Sequence, residues 1–153
     1  MGRLSVYYRM FIEYIMETLE GMLEAFKGAR QVMLTTTGPG GEARTRVMTN
    51  YNESPYEPMW FPSFSETRKV EDVKRSPAVV VSFPAEEEGK WYRVRGEARL
   101  APWEEVRRMW RWWLLEWLPE EERRPLMYDN PFTDRSIIWV DPVGAEVGER
   151  VEG

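Results

Sequence analysis

The chain has 153 residues, the length of one domain, and contains neither Cys nor His. This composition excludes disulfide frameworks, zinc fingers and catalytic triads that use either residue. With 21 Lys and Arg against 26 Asp and Glu, the net charge is −5, unlike the basic excess of nucleic-acid-binding proteins. No stretch approaches the ~18 uncharged apolar residues of a membrane span, so we expect a soluble, cytoplasmic protein without nucleic-acid or membrane partners.

The N-terminal region has the spacing of an amphipathic helix. Apolar residues recur there at steps of three and four: Leu4, Tyr8, Phe11, Ile15, Leu19, Met22 and Phe26. We therefore predict a helix over residues 5–27, ended by Gly28.

A β-hairpin is predicted next. Residues 31–37 are β-branched and apolar, residues 38–41 form a Gly-Pro-Gly-Gly turn, and residues 43–51 alternate in character. In this second strand Arg44, Arg46 and Met48 share one face.

The following segment predicts a short strand and then a helix. Residues 59–61 are aromatic and apolar, and Pro62 places the end of this strand at a sheet edge or bulge. Ser65 can cap a helix that runs to Arg75, where the Ser-Pro sequence at 76–77 stops it.

The C-terminal half predicts three more elements and a last short strand. Residues 78–83 form a continuous apolar run, typical of a buried strand, and residues 92–100 alternate like a strand with one wet face. Pro102 at the first helical position and the two glutamates that follow open a helix over 102–118. Its apolar stripe consists of Val106, Met109, Trp110, Trp113, Leu114, Trp117 and Leu118. Residues 137–140 form the last predicted strand.

These elements predict an α+β fold in a single domain. About six strands, mostly antiparallel, would form a small β-barrel or closed sheet with flanking helices. The sequence contains no internal repeat and no linker between domains.

Two groups of basic residues, about twenty positions apart, point to a phosphate site. One is Arg44-Thr45-Arg46-Val47-Met48 on a strand, and the other is Ser65-Glu66-Thr67-Arg68-Lys69 at a helix start. A helix N-terminus offers unpaired N–H groups to an anion, and cations are electrostatically unfavourable there unless an anion is present. Because the aromatic strand lies between the two groups, a phosphorylated aromatic cofactor would suit this region.

The order of short motifs resembles the pyridoxamine 5'-phosphate oxidase-like FMN-binding split β-barrel family, most closely its bacterial general-stress-protein group. The motifs are Met33-Leu34-Thr35-Thr36, Arg46-Val47-Met48, Trp60-Phe61-Pro62-Ser63, Thr67-Arg68-Lys69-Val70, the segment 76–83, and Val94-Arg95-Gly96-Glu97-Ala98. The resemblance extends from about residue 19 to 147, which leaves residues 1–18 as an N-terminal helical extension of one split-barrel domain over residues 1–153.

The resemblance implies a homodimer that binds FMN in clefts at the subunit interface. Arg46, Thr67 and Lys69, with Arg68, would hold the phosphate of the cofactor. Backbone groups of Val47 and Met48, and the segment Trp60, Phe61, Pro62 and Ser63, would face the isoalloxazine ring. Trp110 matches a helix tryptophan of the family and would approach the flavin from the other subunit. Val47 replaces the usual Pro and Thr67 the usual Ser, but the backbone N–H and the hydroxyl are retained.

Simpler interpretations of the same residues remain open. Arg44 and Arg46 could be the solvated face of an edge strand, and Thr67 to Lys69 an ordinary charged first turn. The tryptophan stripe could be core or dimer interface rather than a surface for stacking a ligand.

Three functions follow from the resemblance. The first is an FMN-dependent oxidoreductase that takes hydride from NADH or NADPH and passes electrons to a small-molecule acceptor. The second is a flavin-binding storage or sensor module without turnover, since no catalytic residue is identifiable. The third is a relative that binds a deazaflavin or another phosphorylated cofactor in the same cleft. Pyridoxamine phosphate oxidation itself is not expected, because its substrate cluster would need a His.

Overall fold

The computed structural model describes residues 19–110, 119, 121 and 135–150. Within them lie three helices, α1 (Met22–Gly28), α2 (Arg68–Arg75) and α3 (Trp103–Met109). The six strands are β1 (Gln31–Thr37), β2 (Ala43–Thr49), β3 (Met59–Phe64), β4 (Ala78–Pro84), β5 (Trp91–Leu100) and β6 (Arg135–Gly148).

The strands form one antiparallel sheet in the order β2-β1-β4-β5-β6-β3. Strands β2 and β3 lie at the two ends of this order. The sheet is curved into a half-barrel, and the split of the barrel lies between these two edge strands. The predicted α+β class and six-stranded split barrel are confirmed.

The inner face of the sheet carries the core. Directly paired residues of neighbouring strands point to the same face, so the row Arg46, Leu34, Val81 and Val94 lies on the inside. The last three are fully or almost fully buried. Helix α1 contributes Phe26, whose ring meets Phe83 edge-on at 5.1 Å between centroids. The inner row ends at Arg46, because β2 is an edge strand.

The alternating and apolar patterns predicted β1, β4 and β5 to within a residue of their bounds. In β5 the residues Tyr92, Val94 and Ala98 are buried, while Arg95 and Glu97 are exposed, as the alternation indicated. The turn over 38–41 joins β1 to β2, and β2 ends at Thr49, two residues before the predicted end.

Both long helix predictions were wrong in the part that the structure describes. Gly21 has φ +91°, a left-handed conformation that an ongoing helix cannot contain, so α1 begins only at Met22. It does end at Gly28, as predicted, and residues 5–18 of the prediction lie outside the described residues. Similarly, α3 starts after Pro102 and ends at Met109, because Trp110 is extended; the rest of the predicted helix, residues 111–118, is not described.

The last strand is much longer than the predicted 137–140. Strand β6 runs from Arg135 to Gly148 and pairs with both β3 and β5. Pro142 and Gly144 interrupt the sequence pattern that is typical of a strand. The pairing of β6 with β5 nevertheless continues past them, because its register shifts at Arg95/Gly96. Gly96 is essential for this fit, since a Cβ there would collide with the Val140 side chain and lie 3.0 Å from the Asp141 carbonyl oxygen.

Strand β3 continues to Phe64, three residues beyond its predicted end, and Pro62 lies within it opposite Ile137. A proline is tolerated here because β3 is an edge strand, as the sequence indicated. None of the helices in the described part of the chain is long and apolar enough to cross a membrane.

Candidate cofactor site

The candidate site lies where arginine side chains of β2 reach helix α2, which packs on β1 and β5. Arg44 is paired with Thr36, and Arg46 with Leu34. Both arginine side chains therefore project from the inner face of the sheet. There they meet Asp72, which α2 places against the sheet. The two basic groups identified in the sequence are therefore brought together.

Asp72 is at the centre of this cluster and is only 1% exposed. Its carboxylate accepts a hydrogen bond of 2.6 Å from Arg75 Nη2 and one of 2.8 Å from the Thr36 hydroxyl. Arg44 Nη1 and Arg46 Nη2 lie 3.6 and 3.9 Å from its oxygens. Arg46 Nη1 also donates a 2.6 Å hydrogen bond to Thr36 Oγ1.

Lys69 adds another cation to this region from the first turn of α2. It is half-buried and forms no ion pair with any described residue. Burial lowers the pKa of Lys69 below its ordinary value, and the positive charge of Arg46 lowers it further. Burial likewise lowers the pKa of Arg46; Asp72 opposes this shift, and Arg44 adds to it.

The charges at this place do not balance. We call the four cations the basic cluster: Arg44, Arg46, Lys69 and Arg75. They are accompanied by two carboxylates, Asp72 and Glu42, the latter 3.1 Å from Arg44. A surplus of two positive charges, partly buried and with Lys69 in the first turn of α2, is unfavourable without an anion. A phosphate monoester, with a charge of about −1.5 to −2 at pH 7, would offset it.

The start of α2 differs from the prediction in its cap. The N-cap is Thr67 rather than Ser65, and no side chain caps the helix. Ser65 instead shares a 2.7 Å hydrogen bond with Ser136 of β6, because β3 extends past its predicted end. The Thr67 hydroxyl donates to the Phe64 carbonyl at 2.9 Å and lies 3.2 Å from the buried Ser63 hydroxyl.

The backbone N–H groups at the start of α2 thus have no side-chain cap among the described residues, which suits an anion. Arg68 is exposed at this helix end, and the structure gives it no ion pair within the described residues. Phosphate roles for Thr67 and Arg68 stay predictions.

The proposed ring-facing segment is held from one side by a loop. The Asn52 carboxamide accepts a 2.9 Å hydrogen bond from the Trp60 N–H and donates one of 3.1 Å to the Trp60 carbonyl. Tyr51 stacks on the Trp60 ring at 5.5 Å between centroids. The loop 52–58 is therefore fastened along the open edge of β3.

The other ring-facing residues differ in their exposure. Phe61 and Met48 are buried in the core, so only their backbone groups could meet a ligand. Pro62 is half-buried, and Val47 is 53% exposed on the outer face of β2. These positions agree with a role for backbone groups and do not test it.

Trp110 lies just after α3 and faces the end of β3. Its ring is 6.3 Å from that of Phe64, and the Arg135 guanidinium carbon lies 4.6 Å from its centroid, a cation–π geometry. Trp110 therefore has neighbours within its own chain, whereas its predicted approach to a second subunit stays a prediction.

An open groove of about 600 Å³ crosses the outer face of the sheet over β1, β4 and β5, and it shares Thr36 with the site described above. Its lining includes Thr35, Val80, Arg95 and Val143, and none of the predicted site residues. Among the described residues no group of acidic side chains has the arrangement of a metal site.

Sequence reasoning missed Asp72, Thr36, Arg75 and Asn52. Asp72 follows Lys69 by three positions and so lies on the same side of α2, a spacing that could have drawn attention to it. The pairing of Thr36 with Arg44 was also available from the hairpin register. Nothing local indicates that Asn52 pairs with Trp60.

Comparison with known proteins identifies the family. The family described as "Pyridoxamine 5'-phosphate oxidase like" matches residues 17–128, well over half of the chain. The protein therefore belongs to this family, as the motif order predicted. No functionally curated protein matches it significantly.

Several solved structures share the fold. An F420 reductase superposes with a TM-score of 0.60 at 22% identity, over 84% of this chain and 98% of its own. General stress protein 26 from Bacillus anthracis gives 0.55 at 17% identity, covering 95% of this chain and 100% of its own. A pyridoxamine 5'-phosphate oxidase-related, FMN-binding protein from Nostoc punctiforme gives 0.56 at 15% identity, covering 95% and 85%. At these identities the similarity establishes the split-barrel fold.

Proposed function

We propose that this protein binds FMN and acts as an FMN-dependent oxidoreductase. The observation that carries the proposal is the surplus positive charge of the basic cluster, whose Lys69 lies in the first turn of α2; a phosphate monoester would neutralise this surplus. Membership of the family and the FMN-binding relative from Nostoc punctiforme support the choice of a flavin.

In this proposal Arg46 and Lys69 bind the phosphate through charged hydrogen bonds, with Thr67 and Arg68 at the helix start. Backbone groups of Val47 and the segment 60–63 position the ring. Bound FMN would supply hydride-transfer chemistry, and the chain supplies position and charge. Because the chain has no His, we expect the rate of cofactor reduction to vary little between about pH 6 and 8.

We also propose that the working unit is a homodimer formed through the outer face of the sheet. That face carries apolar side chains, including Met33, Val80 and the exposed Val47 and Val143, together with the groove. Such an apolar face is typical of a surface covered by another chain.

The test begins with the absorbance spectrum and mass of any ligand that copurifies with the protein, followed by fluorescence titration with FMN. Anaerobic mixing with NADH or NADPH should then bleach the bound flavin at a saturable rate, faster than it bleaches free FMN. FMN binding without faster bleaching would instead indicate a storage or sensor module. A deazaflavin spectrum, which the F420 reductase likeness makes worth checking, would replace FMN as the cofactor.

A further inference from the structure

Asp72 places a negatively charged carboxylate in a site that we propose to bind an anion, where a negative charge is unexpected. It lies on α2 one turn after Lys69 and is 1% exposed, beneath three of the four members of the basic cluster. A negative charge at this position repels a bound phosphate, so its contribution to such a site has to be something other than attraction.

Its two oxygens face different partners. Oδ1 accepts from Arg75 Nη2 at 2.6 Å and faces Arg44 Nη1 at 3.6 Å. Oδ2 accepts from the Thr36 hydroxyl at 2.8 Å and faces Arg46 Nη2 at 3.9 Å. Each oxygen is therefore directed at one strand arginine.

Thr36 connects Asp72 to Arg46 with a defined polarity. The hydroxyl has one proton, which it donates to Asp72, so its lone pairs are left to accept the 2.6 Å hydrogen bond from Arg46 Nη1. The carboxylate thus orients the hydroxyl, and the hydroxyl fixes one end of the guanidinium.

This arrangement leaves most of Arg46 available for a ligand. A guanidinium has five N–H donors, and the contact with Thr36 uses one of them. The distance of 3.9 Å to Asp72 is too long for a hydrogen bond, so Asp72 attracts Arg46 without occupying its remaining donors.

We propose that Asp72 is a positioning residue that, directly and through Thr36, holds the Arg46 guanidinium in the orientation that receives the phosphate of the ligand. The proposal rests on the proposed function of this site as a phosphate-binding site. Preorganising a long, flexible side chain in this way reduces the entropy lost when the ligand binds.

The replacement Asp72→Asn tests the proposal because charge and orientation predict opposite results. Removing a negative charge near the phosphate should by itself tighten FMN binding, whereas losing the orientation of Arg46 should weaken it. We expect FMN to bind about tenfold more weakly or worse and riboflavin, which lacks the phosphate, to bind as in the wild type. Fluorescence titration of both ligands at fixed salt measures the two effects.

Thr36→Val and Asp141→Asn complete the experiment. Thr36→Val removes the bridging hydroxyl without changing any charge and should also weaken FMN but not riboflavin. Asp141→Asn makes the same chemical change as Asp72→Asn in another arginine pair, where Asp141 accepts 2.9 and 3.3 Å hydrogen bonds from Arg99, and should leave FMN affinity unchanged.

Unchanged or tighter FMN binding by Asp72→Asn overturns the proposal, as does a parallel loss of FMN and riboflavin. If thermal unfolding shows that Asp72→Asn does not fold, Thr36→Val decides by the same criterion. Failure of the wild type to bind FMN is a failure of the proposed function; inorganic phosphate, followed by ³¹P NMR, then replaces FMN in the comparison. Equal phosphate binding by wild type and Asp72→Asn, or none by the wild type, overturns the positioning role.

Discussion

Lys69, which we propose to bind the phosphate, should also lower the stability of the ligand-free protein. It is half-buried beside Arg46 and at a helix N-terminus, and each of these features disfavours its charge. In the folded protein its pKa is lowered, chiefly by burial. In the proposed complex, the negative charge of a bound phosphate would offset this unfavourable free energy.

Lys69→Met should therefore separate stability from binding. The apolar stem is retained while the charge is removed, so the ligand-free protein should unfold at a higher temperature than the wild type. FMN should bind about tenfold or more weakly, because a charged hydrogen bond worth roughly 1.5 to 3 kcal/mol is lost. Thermal unfolding and fluorescence titration measure the two changes.

Lys74→Met is the matched control, because Lys74 is on the same helix but exposed and paired only with Glu71 at 3.8 Å among the described residues. It should leave both the unfolding temperature and FMN affinity close to those of the wild type. If Lys69→Met bound FMN as tightly as Lys74→Met, Lys69 would have no role at the phosphate.

The pH dependence of FMN affinity should follow from the same residue. Affinity should rise as the phosphate loses its second proton near about pH 6. It should fall again at alkaline pH, beginning below the ordinary lysine value of 10.5, because the pKa of Lys69 is lowered and the neutral amine no longer attracts phosphate. Titrations across this range should show the alkaline decrease in the wild type and not in Lys69→Met. An identical decrease in both would assign it to another group.

At the scale of elements, the open edge of β3 is closed by a side chain. Asn52 accepts from the N–H and donates to the carbonyl of Trp60, replacing the contacts that a neighbouring strand would make. This holds the loop 52–58 beside the segment proposed to face the flavin ring.

Asn52→Ala should destabilise the protein by roughly 1.5 to 4.5 kcal/mol, since three side-chain hydrogen bonds of about 0.5 to 1.5 kcal/mol each are lost, two with Trp60 and one of 3.3 Å to Asn50 Oδ1. Denaturant unfolding measures this free energy. Glu53→Ala, at the exposed neighbouring position, should change it by less than about 0.5 kcal/mol. Equal effects of the two replacements would mean that the Asn52 contacts contribute nothing to stability.

At the scale of the whole molecule, the prediction concerns the outer face of the sheet. If this face forms a homodimer, the wild type should sediment with about twice the chain mass of 18.2 kDa at micromolar concentration. Val80→Glu, which places a charge in the centre of this face, should shift the protein towards monomer. Its unfolding temperature should be measured alongside, because Val80 is half-buried.

Val147→Glu is the control for the dimer experiment. Val147 is exposed near the end of β6 and is paired with Tyr92, so it points to the opposite face from Val80. It should leave the dimer intact. A monomeric wild type that retains FMN would refute the dimer and, with it, any role for Trp110 across an interface.

The sequence by itself determined most of the sheet, the hairpin and the position of the basic residues. Alternation in β5 and the apolar run of β4 report directly which side chains are buried, and the Gly-rich turn after Thr37 determines the hairpin register. The order of short motifs was sufficient to predict the family, which the match over residues 17–128 confirmed.

Tertiary structure decided the rest, because the deciding contacts join residues far apart in the chain. Strand β6 extends through Pro142 and Gly144 because β5 pairs with it, and α1 starts at Met22 because Gly21 adopts a left-handed backbone. The sequence around Asp72 is that of an ordinary exposed helix residue and does not predict its burial. Its burial against Thr36 and the strand arginines arises only when α2 packs on the sheet, and the charge that a side chain feels depends on the neighbours which that packing supplies.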